Sequence, residues 1–250
     1  MDVFLRYPSL RKLHGIIPDD VVQLEISRRA AEFEEYLENS KIPEVKLCDV
    51  FPDELESGSI WLSNFLGHWG NTTMEELCKI CLIVAWLQPR TILEIGTYNG
   101  LTTAQMALNA PPRCKTYTLD LPPENTISLN WLDDYVARTL PTQFGKEVGC
   151  YFSGMPNVYQ LLGDSMEFNF EAHIDYADLV FVDGAHDYEH VVADTATALT
   201  LLSRRGVVLW HNYADILCPD VTRLLGELSE RLPLFRLKNT TLAVYWRGYQ

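Results

Sequence analysis

Two short stretches hold residue types that can move a proton. Asp183-Gly184-Ala185-His186-Asp187-Tyr188-Glu189-His190 completes one apolar run, Ala177 to Asp183, and His211-Asn212-Tyr213 follows another, Gly206 to Trp210. Open α/β sheets bind ligands beyond the carboxyl ends of their strands, so ionisable groups gathered at two such ends mark a candidate reaction centre. Neutral imidazole is the side chain best matched to proton removal near neutral pH, which makes His186 and His211 candidate bases. His186 and His190 are also four apart, as in a zinc hydrolase helix. That motif needs glutamate directly after the first histidine in mid-helix; here Asp187 holds the position and the segment opens a helix, so a metallohydrolase is set aside.

A third stretch is suited to binding. Thr91-Ile92-Leu93-Glu94-Ile95-Gly96-Thr97-Tyr98-Asn99-Gly100 reads as a strand, an acid and a turn with glycines four apart, feeding a helix from Leu101 to Asn109. Such a turn presents backbone N–H groups and Cβ-free surface to a nucleotide-like ligand. A dinucleotide fingerprint needs G-x-G-x-x-G, with its second glycine beside the pyrophosphate. Nothing small occupies the middle positions here, which disfavours a pyrophosphate. Further strands follow. Lys115 to Asp120 ends in an acid twenty residues after Gly100, where a carboxylate can accept ribose hydroxyls, and Asn157 to Asp164 reads as another.

Glu94-x-Gly96-x-x-x-Gly100 resembles the first motif of class I S-adenosylmethionine (SAM) methyltransferases, and the order of the later strand ends is collinear with that family over residues 75–247. The resemblance implies SAM as methyl donor. It places Glu94, Gly96, Thr97, Tyr98 and Gly100 against the donor's amino-acid half, Asp120 on its ribose, and Asp164-Ser165 at the adenine edge, with Asp183 also bordering the cofactor. It sharpens to small-molecule O-methyltransferases of the catechol type and natural-product enzymes with a V-D-G-x-H-x-Y segment, here Val182 to Tyr188. Metal-dependent members hold a divalent ion on the aspartate ending strand four and on the residues ending strand five. By that likeness Asp183, His211 and Asn212 are candidate metal ligands, and His186 is the base three residues after the aspartate. His211 departs from the pattern, because an acid is expected there. One carboxylate, one amide and one imidazole suit Mn²⁺, Fe²⁺ or Zn²⁺ better than Mg²⁺, and a metal-free reaction on His186 or His211 is the alternative. The expected function is methyl transfer to a small-molecule hydroxyl, in secondary metabolism. Aminopropyl transfer is ranked below it for want of an acidic diamine motif; an N-methyltransferase and a silent SAM-binding scaffold or partner subunit are kept as rivals.

Composition bounds the partners. The 250 residues are 47% hydrophobic with a net charge of −14, enough for one well-buried domain and unsuited to nucleic acid or an anionic membrane, which require clustered Lys and Arg. The longest apolar run, Ile80 to Leu87, is far too short to cross a bilayer, and no secretory signal is visible, so a cytoplasmic protein is expected. The six cysteines form no framework. Cys78 and Cys81 lie in a helical run, which favours buried thiols over zinc.

The elements that must position these residues read as an α/β fold: a doubly wound, mostly parallel seven-stranded sheet closed by an antiparallel hairpin, Phe235 to Leu237 and Leu242 to Trp246. Residues 73–250 form the SAM-binding domain. Residues 1–72 are expected to be an N-terminal helical extension and lid. Its helix, from Pro18 to about Ser40, carries Val22, Ile26, Ala30, Phe33 and Leu37 on one face, which packs either on its own domain or on a second copy in a homo-oligomer. Residues 41–72 read as an irregular lid and 121–155 as a second cover, with a helix around Trp131 to Thr139. Thr72 or Thr73, each three residues before a glutamate, starts the helix over Met74 to Leu87.

Overall fold

The computed structural model describes residues 19–55, 57–64, 70–122 and 148–249. The helix expected near Trp131, and the lid aromatics Phe65, His68 and Trp69, lie outside the described residues.

One eight-stranded sheet organises the chain. In chain order the elements are α1 (Asp19–Asn39), β1 (Glu44–Val45), α2 (Leu47–Val50), α3 (Met74–Leu87), β2 (Thr91–Ile95), α4 (Leu101–Asn109), β3 (Lys115–Asp120), β4 (Val158–Leu162), β5 (Ala177–Val182), α5 (Tyr188–Leu201), β6 (Leu202–Trp210), α6 (Pro219–Leu228), β7 (Phe235–Leu237) and β8 (Ala243–Trp246). The strand order is β1-β7-β8-β6-β5-β2-β3-β4. The strands from β6 to β4 are parallel, and β8 runs antiparallel to both β6 and β7.

The sheet has one strand more than the seven expected. The extra one is β1, whose Glu44 and Val45 pair in parallel with Arg236 and Leu237. Two residues are too few for a periodicity signal. Edge pairing makes the strand, through Arg236 N–H to the Pro43 carbonyl and Lys238 N–H to the Val45 carbonyl. The segment after it is also more regular than a lid: Leu47, Val50, Phe51 and Leu55 are buried in the core cluster with Ile80, Ile83 and Val84 of α3. Each such side chain contributes about 1.5–3 kcal/mol by leaving water.

The apolar face of α1 turns inward. Val22, Ile26 and Phe33 are buried beside Val221 and Leu225 of α6, with Ala30 and Leu37 partly covered, so this stripe packs on its own chain. Ser40, just past the helix, hydrogen-bonds the Tyr213 hydroxyl at 2.7 Å, tying the extension to the loop after β6. The central strands are buried on both faces, as parallel strands flanked by helices must be. Ile92, Leu93, Leu179, Val180, Phe181 and Val208 have no exposed surface.

Candidate active site

The register brings the strand ends into line. Ile95 pairs with Leu119 and with Val182, and Val182 pairs with Trp210, so His211, Asp183, Gly96 and Asp120 follow one another along one edge. Gly163 N–H bonds the Asp120 carbonyl, placing Asp164 at the end of that row.

The glycines of the turn permit close contact with the rest of the chain. Gly96 has φ +98°, and a Cβ on it would stand 2.0 Å from the Asp183 carbonyl oxygen; Gly100 has φ +81°, and its Cβ would meet the Phe152 ring at 2.5 Å. Both allow protein to approach protein. Asp183 N–H donates to the Ile95 carbonyl, which locks the ends of β2 and β5 together. Tyr98 also takes a left-handed backbone, φ 49°.

The acids are likewise turned to local work. Glu94 is 1% exposed, and its carboxylate accepts from the hydroxyls of Thr103 and, at 2.6 Å, Thr118, while Thr118 also meets the Thr97 hydroxyl at 2.7 Å. Burial pushes the Glu94 carboxyl up to about 8. Asp120 accepts the turn's own N–H groups, Thr97 at 3.0 Å and Tyr98 at 2.6 Å, and Leu121 N–H at 2.7 Å. Burial raises its pKa, with the Asp183 charge adding to the rise. Asp164 accepts from Met166 N–H at 2.9 Å and so caps an exposed turn; no described hydrogen bond draws Ser165 to a shared edge with it. Glu94 is thus engaged by two threonine hydroxyls, and Gly96 and Gly100 lie against Asp183 and Phe152.

What does fit SAM is the field and one orphan donor. Asp120 and Asp183 lie close enough to act on one another electrostatically, and negative charge here suits a positively charged sulfonium ligand. Asn99, 1% exposed, donates nothing through Nδ2 among the described residues, although its Oδ1 caps Leu101 N–H. A buried amide N–H without a partner costs about 1–3 kcal/mol, and the donor's carboxylate is the complementary acceptor. Sequence reading missed Asn99 because its spacing was judged only for bulk.

On the acceptor side the structure assembles what the sequence proposed and adds two residues. His186 Nε2 lies 2.9 Å from Asn212 Oδ1 and 3.7 Å from Asp183 Oδ1. His211 Nδ1 lies 2.9 Å from the same Asp183 oxygen, and its Nε2 lies 3.3 Å from Glu76 Oε2. Glu76 is 2% exposed and pinned by Thr241 N–H and hydroxyl, both at 2.8 Å, and by Thr73 N–H at 3.0 Å and hydroxyl at 2.8 Å. Burial alone would lower the His211 pKa, but Asp183 and Glu76 push it up to about 10. Burial opposes ionisation of both carboxyls, yet the imidazolium charge and hydrogen bonds hold Asp183 and Glu76 below the usual carboxylate range.

This geometry does not fit the metal site that the resemblance implied on Asp183, His211 and Asn212. Both ring nitrogens of His211 face carboxylates, and the Asn212 amide oxygen is taken by His186. Among the described residues no group of three or more His, Cys, Asp or Glu is arranged to hold a metal ion. His211 is no base either, because carboxylates only accept hydrogen bonds and the ring therefore donates at both ends. The missed residues are Glu76 and Asp215. Glu76 gave a signal, Thr73-x-x-Glu76, and the structure shows that capping box, but nothing local joined it to His211. Asp215 is buried and accepts from Asn212 Nδ2 at 3.4 Å.

Residues 93–213 match a family profile described as a methyltransferase domain. Over that stretch the chain is similar to the class I SAM-dependent methyltransferases. Catechol O-methyltransferase B of Danio rerio is 28% identical to it over 170 residues, 64% of this chain and 56% of that protein; the chain thus spans little more than half the length of this relative. In fold the chain is similar to an SAH-bound methyltransferase of Podospora anserina, at TM-score 0.54 and 15% identity over 93% of this chain and 94% of that one. The O-methyltransferase NovP gives TM-score 0.52 at 14% identity over 70% and 80%. Among the described residues no helix is long and apolar enough to cross a membrane.

Proposed function

We propose that this chain moves a methyl group from SAM to a hydroxyl oxygen of a small molecule, with His186 as the base. The observation that carries the reading is the placing of His186, Asn212 and Asp183 together at the ends of β5 and β6, next to the Gly96 turn. Support for oxygen as the acceptor atom comes from the catechol O-methyltransferase relative.

The residues divide the work. Asn212 donates through Nδ2 to Asp215, so its Oδ1 faces His186 and accepts from Nε2–H. That fixes the neutral tautomer with its lone pair on Nδ1, the atom that takes the acceptor's proton. As the ring charges, Asp183, 3.7 Å from Nε2, stabilises the imidazolium. SAM when bound supplies the methyl carbon on a sulfonium sulfur, and the acceptor's oxygen pair forms the new bond as the carbon–sulfur pair returns to sulfur. No covalent bond to the protein is needed, so catalysis rests on alignment and proton removal.

Release of S-adenosylhomocysteine (SAH) with a panel of catechols and phenols tests this. His186→Ala is expected to lose about 10²–10⁴-fold in turnover, and Asp183→Ala to lose turnover as well, both with SAH affinity by calorimetry unchanged. Binding of SAM with no turnover on any phenol, sugar or amine would overturn the reading and leave a silent scaffold. Turnover on amines alone would move the acceptor atom to nitrogen.

A further inference from the structure

Glu76 is the residue of this site that no motif accounts for. It sits in the first turn of α3, 135 positions before His211, and four hydrogen bonds from Thr73 and Thr241 fix its carboxylate independently of the histidine. A side chain held that firmly dictates where its fifth partner points. His211 is 7% exposed, its ring lies tilted against Phe181 with centroids 6.1 Å apart, and its far nitrogen meets Asp183. The ring therefore spans two acceptors with a hydrogen required at each end, since neither carboxylate offers one.

We propose that Glu76 is a positioning residue for methyl transfer, and that the Glu76–His211–Asp183 bridge fills the place of a metal centre, so that the ends of β5 and β6 bind no divalent ion. The inference rests on the methyl-transfer reading for the use made of Asp183, but the bridge itself is a matter of geometry. Asp183 is the carboxylate His186 must meet when it charges. An oxygen shared between His211 at 2.9 Å and His186 at 3.7 Å is oriented by the shorter contact. Glu76 acts on it through the imidazole, across a distance no direct contact spans. A divalent ion on Asp183, His211 and Asn212 would need a lone pair on His211, and both of its ring nitrogens already face carboxylates.

Mn²⁺ titration followed by electron paramagnetic resonance, with the full chain and SAH but no acceptor, tests the metal half without relying on turnover. The wild type and Asp183→Asn are expected to leave the free-ion signal equally undiminished through the millimolar range. His211→Asp, which removes the bridge and adds oxygen ligands, is expected to bind Mn²⁺ at least tenfold more tightly than wild type. Stoichiometric Mn²⁺ on the wild type that Asp183→Asn abolishes would overturn the proposal; should His211→Asp not fold, the first pair still decides. ¹⁵N-histidine NMR tests the bridge: both His211 ring nitrogens should carry hydrogens in the wild type at neutral pH, and Glu76→Gln should change the Nε2 signal while SAH affinity stays the same. An Nε2 signal indifferent to Glu76→Gln would remove Glu76 from the positioning role, whatever the acceptor proves to be.

Discussion

The donor-side turn after β2 and the acceptor-side ends of β5 and β6 lie side by side, yet they are built on different terms. The turn is closed by contacts of backbone to backbone and by acids bonded to hydroxyls and N–H groups within about thirty residues of them, as Glu94 is to Thr103 and Thr118 and Asp120 is to Thr97 and Tyr98. On the acceptor side His186–Asn212 and His211–Asp183 span similar separations, but Glu76 reaches His211 and Thr241 from 135 and 165 positions away. Both regions depend on the sheet, through Asp183 N–H on the Ile95 carbonyl; the acceptor side depends on α3 as well, through Glu76.

That contrast can be broken from either side. The largest effect is expected on the turn. Gly96→Ala would drive a Cβ into the Asp183 carbonyl at 2.0 Å from a backbone at φ +98°, which should cost about 2–5 kcal/mol in strain and overpacking. Chemical denaturation measures it. A variant as stable as wild type would mean that the β2 and β5 ends are not packed this closely.

Asp120→Ala should come next. It strips the acceptor from Thr97 and Tyr98 N–H, and hydrogen bonds to charged groups contribute about 1.5–3 kcal/mol, so SAH binding is expected to weaken about ten- to hundredfold in calorimetry. Unchanged affinity would uncouple the turn's shape from the donor.

Glu94 sharpens the comparison through pH. Burial raises its carboxyl to about 8 in the folded chain from an ordinary value of 4.5. Its contribution to stability is therefore complete below about 4.5 and lost as pH rises through about 8. Glu94→Gln should flatten that fall in urea midpoints measured across the window. A wild type whose stability does not decline there would place the carboxylate in a wetter setting.

The smallest effect is expected from Thr73→Ala, which removes a helix cap and one Glu76 contact for about 1–2 kcal/mol. Thermal unfolding reads the loss, and a neutral result would show that Thr241 alone holds Glu76.

Much of the fold was legible, because apolar alternation and turn residues act locally. The strands over Thr91–Ile95, Lys115–Asp120 and Ala177–Val182 and the helices over Met74–Leu87 and Leu101–Asn109 stand where their patterns put them. β6 begins at Leu202, before the apolar run at Gly206, since pairing with Ala177 extends it. β1 was invisible because two residues carry no period.

In the site, the types and spacing of Glu94, Gly96, Gly100, Asp120, Asp183, His186 and Asn212 were determined by the sequence itself, for a strand end followed by a turn is a local signature. What each residue does was decided only by tertiary structure. The glycines face protein, Glu94 faces threonines, and His211 is a bridge between carboxylates, because the atoms that fill their surroundings come from elsewhere in the chain. Glu76 shows the limit most plainly. A capping box is written in four consecutive residues, but the histidine it holds arrives 135 positions later in the chain.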